Sequence, residues 1–144
     1  MGDAIIGRKA EQEILRQRIE SNSPELIAIY GRRRVGKTFL VRQFFRDTFS
    51  FYSTGIYEGT KKEQLGEFTR QLERYSGRKW KTPTDWFGAF AQLREYLESI
   101  GGDNPIVVFL DELPWMDTPK SRFIKALEYF WNSWGATNNR LKLI

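Results

Sequence analysis

The sequence predicts an α/β fold built on a parallel β-sheet, and three features of the chain support that class. Short apolar runs of strand length alternate with longer segments of helical periodicity. The run "PIVVFLDE" (105–112) is apolar up to its acidic end, as expected of a strand buried on both faces. A glycine-containing loop connects the first strand directly to a helix. Strands separated by helices imply right-handed crossovers, parallel pairing and a ligand at the carboxyl ends of the strands.

The elements follow one another in a regular order along the chain. An amphipathic helix over "GRKAEQEILRQRIES" (7–21) ends at a Ser-Asn-Ser-Pro turn, where the first strand begins. The remaining patterns predict, in order, a first strand at 24–30, a helix from Lys37, a second strand at 49–54, helices at 61–75 and 84–100, a third strand at 105–112, a helix at 120–134 and a fourth strand in 140–144. The aromatic stripe of the last helix, from Phe123 to Trp134, is interpreted as core. A chain of 144 residues of this kind is expected to form one domain over 1–144.

The composition excludes several kinds of chemistry. The chain has no cysteine and no histidine, so disulfides, thiolate metal sites and imidazole catalysis are ruled out. General acid or base catalysis would fall to carboxylates, lysine or tyrosine. No apolar stretch approaches the length of a membrane span, and no secretory signal precedes the first helix. These features predict a cytoplasmic protein without a membrane partner.

The stretch "YGRRRVGKTF" contains the phosphate-loop pattern, with Gly31, Gly36, Lys37 and Thr38 at the required spacing between a strand and a helix. Backbone N–H groups of such a loop surround the β-phosphate, and the helix N-terminus adds partial positive charge. Lys37 is expected to reach the β- and γ-phosphate oxygens, and Thr38 the magnesium ion. The predicted ATP contacts in this loop are Gly31, Arg32, Arg33, Arg34, Val35, Gly36, Lys37, Thr38 and Phe39.

The three arginine side chains of this loop are expected to project outward, because backbone atoms line the phosphate cradle. They form either a solvated basic rim or a contact surface for an acidic partner, nucleic acid or a neighbouring subunit, and the sequence leaves both interpretations open. The net charge of +5 lies in the same region, since residues 1–46 hold ten Lys/Arg against five Asp/Glu, whereas residues 47–144 hold thirteen of each. ATP is sufficient to explain this excess.

Two adjacent acids, Asp111 and Glu112, end the third predicted strand. This is the arrangement of a Walker B element, in which Asp111 would hold magnesium through water and Glu112 would polarise the attacking water. Successive residues leave a strand in different directions, so the two acids can divide these duties. The alternative is an ordinary strand-to-turn exit, where acids are common.

Three stretches, "IIGRKAE", "IYGRRRVGKT" and "VVFLDELPWMD", resemble the archaeal-type P-loop ATPases, which are AAA+/STAND-like predicted ATPases of archaea and anaerobic bacteria. The resemblance extends over "GRKWKTPTDWFGAF" and "KALEYFWNSW". It implies a three-layer αβα P-loop NTPase with strand order 5-1-4-3-2 that binds ATP and hydrolyses it with Mg²⁺. By the same resemblance Lys37 and Glu112 are catalytic, Thr38 and Asp111 hold the metal, and Gly7, Arg8 and Glu11 lie near the adenine with Ile5 and Ile6 as apolar contacts.

The chain departs from that family after its third strand. In these ATPases a polar sensor residue follows the fourth strand, and a fifth strand and a helical lid come after it. The sequence stops at 141–144, inside the fourth strand, and so it resembles the N-terminal part of an ATPase domain that is truncated there. We therefore expect weak nucleotide binding and little turnover from these residues alone.

Two functions remain open at this stage. The first is an ATPase core that acts as a nucleotide-driven switch or remodelling engine on an attached C-terminal domain, a protein partner or further copies of itself. The second is an ATP-sensing regulatory or DNA-associated module without hydrolysis. A GTPase or small-molecule kinase fits less well, because the sequence has no Asn-Lys-x-Asp guanine reader. Nucleic-acid binding rests on the arginine triplet, the "GRKWK" turn and exposed aromatic residues.

Overall fold

The computed structural model of the protein describes residues 9–27 and 49–144. Four strands form one parallel sheet in the order β1-β4-β3-β2. Their bounds are Glu25–Leu26 for β1, Phe51–Thr54 for β2, Ile106–Asp111 for β3 and Leu141–Leu143 for β4. The predicted α/β class with a parallel sheet is confirmed, and the order of these strands agrees with the one that the family resemblance implied.

Five α-helices of the described chain connect these strands. They are α1 (Lys9–Glu20), α2 (Lys61–Ser76), α3 (Trp86–Glu98), the short α4 (Leu113–Met116) and α5 (Phe123–Ser133), followed by a 3₁₀ turn at Gly135–Thr137. Helix α2 begins where the sequence predicts, because Thr60 and Glu63 form a reciprocal capping box. Helix α3 begins later than predicted, because the Asp85 side chain accepts the N–H of Gly88 at 2.8 Å and caps it there.

One face of the sheet carries the larger core. Apolar residues of β2, β3 and β4 pack there against α2, α3 and α5. Trp86 is fully buried at the centre, with its ring 5.3 Å from Phe68 and 4.8 Å from Phe123 in edge-to-face geometry. Phe130 and Trp134 are buried in the same cluster, as the sequence predicts for the stripe on the last helix.

The opposite face of the sheet carries a smaller core. Phe49, Val107, Phe109 and Ile144 are buried there, with Ile19 of α1 packed against them. Helices therefore cover both faces of the sheet, which makes the fold a three-layer αβα structure. The predicted strand 24–30 begins within the described residues, but its second half and the helix predicted from Lys37 lie outside them.

Two cations, Lys142 in β4 and Arg140 directly before it, connect helices to the amino-terminal edge of the sheet. Lys142 is only 1% exposed, and its ammonium donates to the backbone oxygens of Ser21 at 2.9 Å and Ser23 at 2.6 Å. The Arg140 guanidinium donates to the carbonyls of Ile100 and Gly101 after α3, each at 2.9 Å. These bonds satisfy carbonyls at the ends of α1 and α3, and so they fix both helices to the sheet.

None of the helices in 9–27 and 49–144 is both long enough and apolar enough to cross a lipid bilayer.

Candidate functional site

The acidic pair lies at the carboxyl edge of the sheet, where Asp111 is the last residue of β3 and is 3% exposed. Its carboxylate accepts hydrogen bonds from both sides. The Tyr52 hydroxyl of the neighbouring strand donates to Oδ2 at 3.1 Å, and the backbone N–H of Glu112 donates to Oδ1 at 2.9 Å. A buried carboxylate that accepts such bonds is held in one orientation.

Glu112 leaves the strand in a different direction from Asp111. Its backbone is left-handed, with φ 53° and ψ 43°, and its carbonyl accepts the N–H of Trp115 at 3.0 Å, which starts α4. A non-glycine residue in this region is uncommon and clusters at functional sites. The turn leaves Asp111 buried and Glu112 partly exposed, so two adjacent carboxylates occupy different environments.

The backbone of Gly55 lies directly against this turn. Gly55 N–H donates to the Asp111 carbonyl at 2.9 Å. A Cβ atom at position 55 would lie 2.4 Å from the Glu112 carbonyl oxygen and 2.9 Å from Cβ of Trp115. Only glycine lets the exit of β2 approach the acidic turn so closely.

The loop from β2 to α2 is fixed by one buried amide. The Gln64 side chain is 2% exposed, accepts the N–H of Ile56 at 2.8 Å and donates to the carbonyls of Ile56 and Gly59 at 2.8 and 3.2 Å. The same loop carries Tyr57, which is 62% exposed and meets the Trp115 ring edge-on at 4.6 Å. The β2–α2 loop and the acidic turn therefore form one rigid wall at the carboxyl edge.

The sequence predicted only part of this arrangement. Asp111 and Glu112 lie at the carboxyl edge, where the sequence places a ligand, whereas Tyr52, Gly55 and Gln64 were missed. The glycine directly after a predicted strand is a signal that could have identified Gly55, since it marks a close backbone approach. The predicted nucleotide contacts Ile6, Gly7, Arg8 and 31–39, together with Ile5, lie outside the described residues, and the side chain of Glu11 does too.

In 9–27 and 49–144 no group of three or more Asp, Glu, His or Cys side chains is arranged to hold a metal ion. Mg²⁺, however, usually keeps several waters and binds through one or two carboxylates together with phosphate oxygens. The oriented carboxylate of Asp111 fits that kind of site.

The chain is similar in sequence to two archaeal proteins. No protein-family model matches the chain. A similar protein is the uncharacterized protein MJECL04 of Methanocaldococcus jannaschii, 27% identical over 110 residues, which are 76% of this chain and 22% of that protein. This chain thus spans about a fifth of that longer relative.

The uncharacterized ATP-binding protein MJ0423 of the same organism is more similar in sequence over a shorter stretch. The two are 45% identical over 43 residues, which are 30% of this chain and 73% of that protein. Because the match covers more than two thirds of MJ0423, this chain belongs to the same family as that ATP-binding protein.

Proposed function

We propose that this protein binds ATP with Mg²⁺ and hydrolyses it, and that the nucleotide cycle drives a switch in attached domains or partners. The observation that carries the proposal is the acidic pair Asp111-Glu112 at the carboxyl end of the buried strand β3. A buried, oriented aspartate followed by a glutamate turned in another direction suits magnesium binding and water activation. The phosphate-loop pattern at 31–38 and the family relationship to an ATP-binding protein support the same nucleotide.

Each residue has a distinct role in this proposal. The loop backbone at 31–36, together with Lys37, binds the phosphates. Thr38 and Asp111 hold the magnesium ion, which neutralises charge on the phosphate oxygens when bound. Glu112 orients the attacking water and accepts its proton. Ile6, Gly7 and Arg8 would contact the adenine, as the family resemblance implies.

The contacts around the acids support these roles. Tyr52 orients the carboxylate of Asp111 through the 3.1 Å hydrogen bond from its hydroxyl. Gly55 allows the β2 exit to pack against Glu112, so the backbone of the acidic turn is held from a second strand. Preorganisation of this kind matters because a displacement of about 1 Å can reduce the rate by roughly 100-fold.

A non-hydrolysing ATP sensor is the second candidate. The relationship to MJ0423, which is described as an ATP-binding protein, supports nucleotide binding and adds nothing on hydrolysis. In that case Asp111 and Glu112 would stabilise bound Mg²⁺-ATP without turnover.

The test measures ATP binding and hydrolysis separately in the full-length protein. Calorimetric titration with Mg²⁺-ATP is expected to show binding that Lys37→Ala abolishes. Glu112→Gln is expected to keep binding and to lower hydrolysis by roughly 100-fold or more. Glu128→Gln, an exposed position on α5, is the matched control and should change neither quantity.

The outcomes separate the candidates. Binding without measurable hydrolysis in the unsubstituted protein would favour the sensor over the ATPase. Binding that survives Lys37→Ala would contradict both.

A further inference from the structure

Positive charge in the second part of the chain is concentrated on α2 and the turn that follows it. Residues 60–81 contain seven Lys/Arg and three Asp/Glu, whereas the rest of 47–144 contains six and ten. The turn itself, "GRKWK" at 77–81 and called here the basic turn, has three cations and no acid. The proposed ATP site accounts for none of these charges.

The backbone of the basic turn is rigidly held. Glu73 accepts the N–H of Trp80 at 3.0 Å, and the Trp80 indole donates to the Ser76 hydroxyl at 2.9 Å. Gln92 of α3 donates to the carbonyl of Lys81 at 2.8 Å. Because uncharged or acidic groups make these bonds, the cationic side chains are not needed to hold the turn, and they remain directed towards solvent.

The cations of the turn are exposed and weakly compensated. Lys79 and Lys81 make no ion pair within the described part of the chain. Arg78 lies 4.5 Å from the centre of the Trp80 ring and 3.6 Å from Glu95, in a pair whose side chains are 47% and 64% exposed. An exposed pair of this kind contributes little, so a phosphate can displace Glu95 from Arg78.

A groove beside the basic turn adds aromatic surface. This edge groove, about 290 Å³ in volume, runs between β2 and α2. Phe49, Tyr52 and Tyr75 supply aromatic rings to its lining. Its polar groups come from Thr54, Gln71, Arg74 and the carboxylate of Glu67, which is paired with Arg70. Arg74 lies 5.6 Å from the centre of the Tyr75 ring in the last turn of α2, four positions before Arg78 of the basic turn.

An unsatisfied acceptor lies at the wall of the edge groove. Gln71 Oε1 is buried and has no hydrogen-bond partner among the described residues, although Nε2 of the same amide donates to Glu67 at 2.9 Å. Leaving such an oxygen without a donor is unfavourable. A rotation of the Gln71 amide that turns Oε1 into the groove would let a ligand N–H group satisfy it.

We propose that the edge groove and the basic turn together form a binding surface for single-stranded nucleic acid. Arg78, Lys79 and Lys81 contact the phosphates, and an unpaired base enters the edge groove beside Tyr75, where a rotation of the Gln71 amide brings Oε1 to the N–H group of the base. Planar cations and aromatic rings are the groups on which unpaired bases stack. A duplex would satisfy the phosphate contacts, but its bases are paired and cannot enter the groove.

The experiment uses fluorescence anisotropy with a labelled mixed-sequence 20-nucleotide DNA strand and the same sequence as a duplex, without ATP. The full-length protein is expected to bind the single strand at least about fivefold more tightly than the duplex. The triple variant Arg78→Gln/Lys79→Gln/Lys81→Gln should bind the single strand about tenfold or more weakly at salt concentrations between 50 and 200 mM. The slope of its log affinity against log salt concentration should be shallower by about 2. Arg94→Gln/Lys120→Gln/Lys125→Gln removes the same charge from exposed positions outside 60–81 and should weaken binding less than about twofold.

A second variant tests the edge groove separately from the charge. Gln71→Met preserves the length of the side chain and removes its acceptor, so the preference for the single strand should fall while the salt slope stays unchanged. Equal losses of affinity in the two triple variants would mean that only the net charge matters, and this would overturn the proposal. Absence of binding to the single strand, or equal affinity for the duplex, would overturn it too. If polyglutamate with the same total charge as the DNA strand displaced that strand, the surface would instead be a binding site for an acidic protein. None of these outcomes depends on whether the protein hydrolyses ATP.

Discussion

Tyr52 of β2 donates a hydrogen bond of 3.1 Å to the carboxylate of Asp111 at the end of β3. The bond is diagonal, because Tyr52 is paired in register with Phe109 and Asp111 is paired with Thr54. Tyr52 also lines the edge groove. One side chain therefore contacts both the proposed magnesium ligand and the proposed nucleic-acid surface, and this gives the two sites a direct physical connection.

Tyr52→Phe is expected to reduce ATP turnover in the full-length protein by roughly tenfold while ATP affinity changes less. The substitution removes only the hydroxyl that orients Asp111, and loss of one hydrogen bond should lower stability by about 1 kcal/mol. Steady-state kinetics at several Mg²⁺ concentrations would measure kcat and KM. Tyr129→Phe, on the exposed surface of α5, serves as control. An unchanged kcat in Tyr52→Phe would show that Asp111 needs no such support.

Gly55→Ala is expected to lower the free energy of unfolding by about 2 kcal/mol or more, because the new methyl group would lie 2.4 Å from the Glu112 carbonyl oxygen. Gly66→Ala is a matched comparison, since nothing lies within 4 Å of a Cβ there. In the middle of α2 that change should stabilise the protein by up to about 1 kcal/mol. Urea denaturation of both variants provides the measurement. If Gly55→Ala were as stable as Gly66→Ala, the close packing of the acidic turn would be refuted.

The sequence predicted the features that depend on local pattern. Alternating strands and helices gave the α/β class, and the uninterrupted apolar run before Asp111 gave the buried strand β3 with its acids at the carboxyl edge. The last helix was predicted to begin at Lys120, but α5 begins at Phe123. Lys120 and Arg122 have positive φ values of 60° and 61°, which a periodic pattern does not reveal.

The sequence could not predict the contacts that depend on strand register. Tyr52 and Asp111 are 59 positions apart, and they meet only because β2 and β3 pair as they do. Lys142 is a similar case, because a lysine that alternates with apolar residues, as in "RLKLI", usually lies in solvent. It is buried instead, because its ammonium group donates hydrogen bonds to the carbonyl oxygens of Ser21 and Ser23, about 120 positions earlier.

Lys142→Met is expected to lower the free energy of unfolding by about 2–4 kcal/mol. Methionine fills similar space, but the carbonyls of Ser21 and Ser23 lose their donor. Burial already lowers the pKa of Lys142 below its ordinary 10.5, and nearby Glu25 partly opposes that shift. Lys125→Met on the exposed face of α5 is the control for loss of a lysine, and urea denaturation at pH 7 compares the two. Equal stability of the two variants would mean that water satisfies the carbonyls.

Glu25 should make folding sensitive to acid. Hydrogen bonds from Ser21 at 2.8 Å and Ser23 at 3.2 Å, together with the charges of Arg18 and Lys142, lower the pKa of Glu25 below 4.5, although burial acts in the opposite direction. A carboxyl group with a lowered pKa in the folded state contributes stability that is present above about pH 4.5 and is lost as the pH falls through the folded-state value.

Glu25→Gln removes the ionisable group, so the difference in unfolding free energy between the unsubstituted protein and this variant should be largest near pH 7. The difference should shrink as the pH approaches 3, because protonation removes the same charge from Glu25. Urea denaturation at intervals across that range measures it, and Glu128→Gln on α5 controls for loss of an exposed carboxylate. A difference that stayed constant from pH 7 to 3 would show that the serine hydroxyls bind the neutral carboxyl as well as the charged one.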